Sequence, residues 1–194
     1  MVNLMEKFEG YDSMPIGSNK QLKAGGYVLN IMNAKETVSK AGSKMLEISY
    51  DIYEGEYANF YADKYRKNSS PLRKWGGTYY MVLPDKVKQD QAAYERRLKA
   101  FKRFITSIQE SNEGYTWNWR EESLKGKKVG GIFGREQFQG SDGTLHFSTK
   151  LFWFVSTDTI RTGDFTVPED RLLDLAPADD FIPMPAGEPD DLPF

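Results

Sequence analysis

The chain has no cysteine and a single histidine, His146. The first absence removes disulfides, thiolate nucleophiles and sulfur-ligated zinc, and it fits a reducing compartment. The second removes most histidine-rich metal sites. No apolar run approaches the ~18 residues that suggest a membrane span. The opening "MVNLMEKFEG" has acids where a secretory signal would have a basic segment and an apolar stretch. A cytoplasmic protein is therefore expected, without a membrane partner. Residues 174–194 hold neither lysine nor arginine.

That last absence divides the charge. Residues 1–173 hold all 26 bases against 22 of the 28 acids and carry +4, whereas residues 174–194 carry −6. Five of the nine prolines also lie after Asp174, where they remove amide donors and disfavour helix and central strand alike. The expected organisation is a folded body over 1–173 and a disordered, acidic, proline-rich tail over 174–194. Such asymmetry points to nucleic acid, with the tail as an internal polyanion able to compete for a cationic groove.

Within the body, "LKAGGYVLNIMNA" reads as a turn and a strand with Tyr27, Leu29 and Ile31 on one face. Leu46, Ile48, Tyr50 and Ile52 alternate with Glu47, Ser49 and Asp51, which predicts a second strand with one buried face. "YANFYADKYRK" reads as a third strand, completing a curled meander. Residues 68–84 are expected to be irregular, interrupted by Pro71, Gly76 and Gly77. The spacing of Tyr94, Leu98, Phe101, Ile105 and Ile108 predicts a helix over 90–110, packed on a sheet with a solvated basic face. "LKGKKVGGIFGREQF" and "GTLHFSTKLFWFVST", joined across Asp142-Gly143, predict a hairpin. Leu145, Phe147, Leu151, Trp153 and Val155 share one face of its second arm; Trp153 and Phe147 are assigned to the core. The fold class expected is α+β, mainly β with one helix. Three strands, a helix and a hairpin is the order of an OB-type Greek-key barrel, and other mixed folds share it.

No catalytic residue, metal site or cofactor is expected. "KVGGIFG" lacks the spacing and the Lys-Ser/Thr of a phosphate loop, and its glycines read as bends or bulges. His146 lies mid-strand beside aromatics, far from any exposed-serine elbow. The acids of the tail sit on backbone that cannot fix coordination geometry, while Glu121-Glu122 and Glu54/Glu56 read as solvated turns.

The ending "DDFIPMPAGEPDDLPF" resembles the C-terminal tail of bacterial and phage single-stranded-DNA-binding proteins, which close on acids, a small apolar residue, proline and phenylalanine. The match covers Asp190, Asp191, Leu192, Pro193, Phe194 and the spacer before them. The body does not resemble the standard bacterial version. Its "LKAGGYVLNI…AGSKMLEISYDIYEGEY…LKGKKVGGIFG", spread over 22–155, is similar to phage and integrated-element proteins that accompany replication and recombination genes. The resemblance implies a phage single-strand binder with an OB-like core, in the host cytoplasm, whose tip recruits replication or recombination proteins. A homo-oligomer is left open. Physically, Phe194 would combine a ring and an α-carboxylate, which a partner can meet with a shallow apolar pocket and a nearby cation.

Sequence-independent binding of a single strand needs cations for phosphates and flat rings for bases. "FYADKYRKNSSPLRKWGG" interleaves both, so Tyr61, Lys64, Tyr65, Arg66, Lys67, Arg73, Lys74 and Trp75 form the first candidate groove wall. The second is the hairpin, through Lys127, Lys128, Phe133, Arg135, Phe138, Lys150 and Phe152. Two other functions fit the same features. One is a recombination annealing factor; the other is an interaction or inhibitor protein that binds no polynucleotide and uses its rings as a protein-facing patch.

Overall fold

Five strands form one antiparallel sheet in the computed structural model, which describes residues 21–173. In chain order the elements are β1 (Gly25–Val38), β2 (Lys44–Ile52), α1 (Phe60–Lys67), β3 (Thr78–Val82), α2 (Gln91–Ser111), a 3-10 turn (Glu121–Leu124), β4 (Lys128–Gln139), β5 (Leu145–Val155) and α3 (Thr157–Thr162). The spatial order is β3-β2-β1-β4-β5. The fold is thus α+β with an open sheet, and among the described residues no ladder joins β3 to β5. The rings of Tyr79 on β3 and Phe154 on β5 nevertheless meet edge to face at 5.2 Å.

The alternation read in β2 is real: Leu46, Ile48, Tyr50 and Ile52 are all buried against Leu29, Ile31, Val129 and Phe133. The hairpin is present as well, with β4 and β5 paired from Gln139↔Leu145 onward and Gly143 at φ +81° in the turn. The predicted helix is α2, started by Asp90, whose carboxylate accepts from the Ala93 amide at 2.7 Å. Only its second half is deeply packed, through Phe104, Ser107 and Ile108; Leu98 is 42% exposed.

Four expectations need correction. The predicted third strand is the helix α1. The cause is Asp51, which is 5% exposed and whose carboxylate accepts from the amides of Ile52, Tyr61 and Ala62 at 2.8, 2.9 and 3.0 Å. It supplies acceptors to the amides that the first helical turn leaves unpaired. Second, β3 lies inside the segment expected to be irregular, because Gly77 lets two backbones approach: a Cβ there would stand 2.2 Å from the Tyr50 carbonyl oxygen. Third, the described residues hold three α-helices rather than one. Fourth, the faces of β5 exchange where the β4–β5 register shifts between Ile132 and Phe133. Phe154 therefore enters the core and Trp153 is only half-buried; Phe147, expected in the core, lies before the shift near the hairpin end of β5 and is 41% exposed.

One end of the core is aromatic. Tyr50 packs edge to face on Tyr61 and Phe133, and Tyr27 does so on Tyr57 and Phe133. Burial raises the Tyr50 phenol and pushes Tyr61 up to about 12, the latter partly offset by its hydrogen bond with Tyr50. Because the folded pKa lies above the unfolded one, the stabilisation holds below pH ~10 and is lost as pH rises toward ~12. For Tyr61 alone this is on the order of 2–3 kcal/mol. Urea midpoints should be flat to pH ~10 and fall steeply above it; midpoints unchanged well above that pH would show the phenols to be solvated.

Candidate nucleic-acid interface

The structure brings part of the first predicted wall together. The α1 helix carries Tyr65 to the loop before β3, where its ring centroid lies 5.9 Å from that of Trp75. The Arg73 guanidinium sits 4.6 Å from the Tyr65 ring centroid and donates to the Asn68 carbonyl at 3.3 Å. The Trp75 indole N–H donates to the Tyr50 and Gly77 carbonyls, both at 3.1 Å, which fixes the ring to the β2–β3 junction. Tyr65 and Trp75 are half-buried, whereas Lys64, Arg66, Lys67, Arg73 and Lys74 are exposed around them. Arg66 also pairs with Asp63 at 2.8 Å. Tyr61 does not belong to this wall: it is 8% exposed and lies in the core, one helical turn before Tyr65.

The second predicted wall does not converge. Lys127 and Phe138 stand at opposite ends of β4, roughly 35 Å apart at ~3.3 Å per residue. Phe133 is fully buried. The Phe152 ring lies over Gly134, with Arg171 at 3.8 Å from its centroid. Arg135 is held bidentately by Asp170, whose carboxyl it keeps below the usual range, and its guanidinium lies 4.8 Å from the Phe147 ring centroid. Lys150 is paired with Glu136. Phe138 is 42% exposed and stacks loosely on His146 at 5.6 Å. These cations are largely committed within the protein.

Lys127 and Lys128 form a separate group at the start of β4. The Lys128 ammonium lies 3.4 Å from the Tyr53 ring centroid and donates to Asn30 Oδ1 at 3.0 Å. Desolvation lowers its pKa, with Glu54 opposing. Lys127 lies 4.5 Å from the Tyr115 ring centroid.

Three exposed features escaped the sequence reading. Tyr80, 54% exposed, extends the row Lys35–Glu47–Tyr80 across the β1-β2-β3 face, where Lys35 and Glu47 pair at 3.4 Å. The "TYYM" pattern carried its signal, since Met81 faces inward. Tyr53 is 50% exposed beneath Lys128. Lys99, Lys102 and Arg103 border a groove of about 440 Å3 between α2 and β5. Among the described residues no cluster of three or more His, Asp or Glu side chains is arranged to hold a metal ion, and no helix is long and apolar enough to cross a membrane. The partner-binding candidates Asp190, Asp191, Leu192, Pro193 and Phe194 lie outside the described residues. No family model matches the chain, and no curated protein matches it either.

Proposed function

We propose that this chain binds single-stranded DNA without sequence preference, in the replication, recombination or repair of phage DNA. The observation that carries the reading is the cluster of Tyr65, Trp75 and Arg73: two adjoining rings, one anchored to the sheet, under a guanidinium, with Lys64, Lys67 and Lys74 exposed nearby. Rings offer π-faces to any base and the cations meet phosphates, so sequence plays little part. The strand order β3-β2-β1-β4-β5 with a helix between β3 and β4 supports an OB-like Greek-key barrel, partly open between β3 and β5. In such a barrel the β2–β3 face and the loops after β1 and β4 take the ligand, which adds Tyr80 to the first wall. Residues 174–194 recruit partner enzymes through Asp190–Phe194 and compete with DNA for the cationic surface. Fluorescence anisotropy of a labelled single strand and of its duplex tests the reading. The single strand should bind tightly at low salt and the duplex weakly.

A further inference from the structure

The segment between α2 and β4 contains a bulky residue in a conformation that such residues seldom adopt. Trp119 has φ +63°, a region that bulky side chains seldom enter, and yet 80% of its surface faces solvent. Burying the indole would supply a reason for that backbone; here the indole is held out. The backbone around it is pinned: the Asn118 side chain accepts from the Arg120 amide at 3.1 Å, and the Ser123 hydroxyl donates to the Arg120 carbonyl at 2.7 Å. The same hydroxyl meets the Tyr115 phenol at 2.8 Å, and the Tyr115 ring lies under Lys127. Trp117, 6.4 Å away between centroids, backs the exposed ring from the core side.

The position of this cluster relates it to the first wall. Ile31 donates to the Lys127 carbonyl at 2.9 Å and accepts from Gly126 at 2.7 Å; Ile31 pairs with Tyr50; and Tyr50 donates to Gly77 at 2.7 Å. The Tyr50 carbonyl accepts the Trp75 indole. The backbones of Lys127 and Gly77 therefore end one row of backbone pairs, roughly 14 Å across at ~4.8 Å per strand spacing, with Trp75 bonded at one end and Lys127 leading to the Tyr115 ring at the other. That is a span of a few nucleotides of extended single strand.

We propose that Trp119 is a second stacking platform, which takes an unpaired nucleobase from the same strand that contacts Tyr65 and Trp75. The charge around it favours a polyanion over an apolar protein pocket: Arg120, Lys125, Lys127 and Lys128 outnumber Glu121 and Glu122 within residues 115–128, and Glu122 lies 3.8 Å from Arg120. The fixed left-handed backbone keeps the ring presented before the base arrives, which lowers the ordering cost of binding.

This inference rests on the proposed single-strand binding, and its test separates the two. The full chain is titrated with a thymidine oligomer of about twenty nucleotides, following both affinity and intrinsic tryptophan fluorescence. Trp119→Ala should lower affinity by about five-fold to roughly 150-fold, the range expected for loss of one stacked base. Trp119→Phe keeps a ring and should retain affinity, but its fluorescence quenching should be smaller than that of the unaltered chain, with the share from Trp75 remaining. Trp119→Gly relaxes the backbone; it should bind as weakly as Trp119→Ala without loss of thermal stability. An unaltered chain that ignores the oligomer removes the proposed function and this platform together. An unaltered chain that binds, with affinity and quenching untouched by all three substitutions, removes the platform alone and leaves Trp119 to a protein partner.

Discussion

Replacing Tyr65 and Arg73 together by alanine should weaken binding of a thymidine oligomer by about ten- to a hundred-fold, since one stacking ring and one phosphate contact are lost. Thermal unfolding should scarcely move, because Arg73 is exposed and Tyr65 only half-buried. Trp75 is the wrong target for this purpose. Its indole satisfies two backbone carbonyls and packs on the core, so truncating it would disturb the start of β3 as well as remove a ring. The double variant therefore separates binding from folding. Native affinity in the folded double variant would reject this wall, and a lowered salt dependence would assign Arg73 to phosphate.

The second large effect is expected at Asp51, beneath the start of α1. Its carboxylate is almost fully buried and accepts three amides, two of them at the start of α1. Asp51→Ala leaves those donors without their acceptor and should cost about 3–5 kcal/mol in urea unfolding, a large share of an ordinary domain's stability. The loss has a functional side. With its first turn unsupported, α1 no longer holds Tyr65 against Trp75, so DNA binding should weaken even under conditions where the variant remains folded. Asp51→Asn keeps one carbonyl acceptor and should fall between. A variant as stable as the unaltered protein would show that water replaces the carboxylate at α1.

The strands that pack one face were legible because burial of one face imposes alternation, as in Leu46, Ile48, Tyr50 and Ile52. The hairpin was legible from Asp142-Gly143, where Gly143 takes the positive φ the turn requires. The α1 helix was misread although its signal was present. Tyr57, Tyr61 and Tyr65 recur at four residues, the period of a helix face, but β-favouring aromatics in a short run also suit a strand. What decides between them is the Asp51 carboxylate, a contact across ten residues that no local pattern contains. The inside and outside of β5 were misassigned for a similar reason. One extra residue near Phe152 exchanges the faces, and a bulge leaves no mark in composition. Of the candidate site, the sequence revealed that rings and cations alternate over 60–77, but not which ring, Tyr61, turns inward. Trp119 has no signal in the sequence, because an isolated aromatic in a loop has no period and its left-handed backbone is visible only in three dimensions.

The central claim is that the half-buried rings of Tyr65 and Trp75 and the exposed cations around them hold single-stranded DNA. Its most direct test is the affinity of the full chain for a thymidine oligomer and for a duplex of equal length across a salt titration. The account predicts strong preference for the single strand, with the logarithm of affinity falling linearly against that of salt by about 0.7 per phosphate neutralised. No detectable binding at low ionic strength, or equal binding of the duplex, would contradict it.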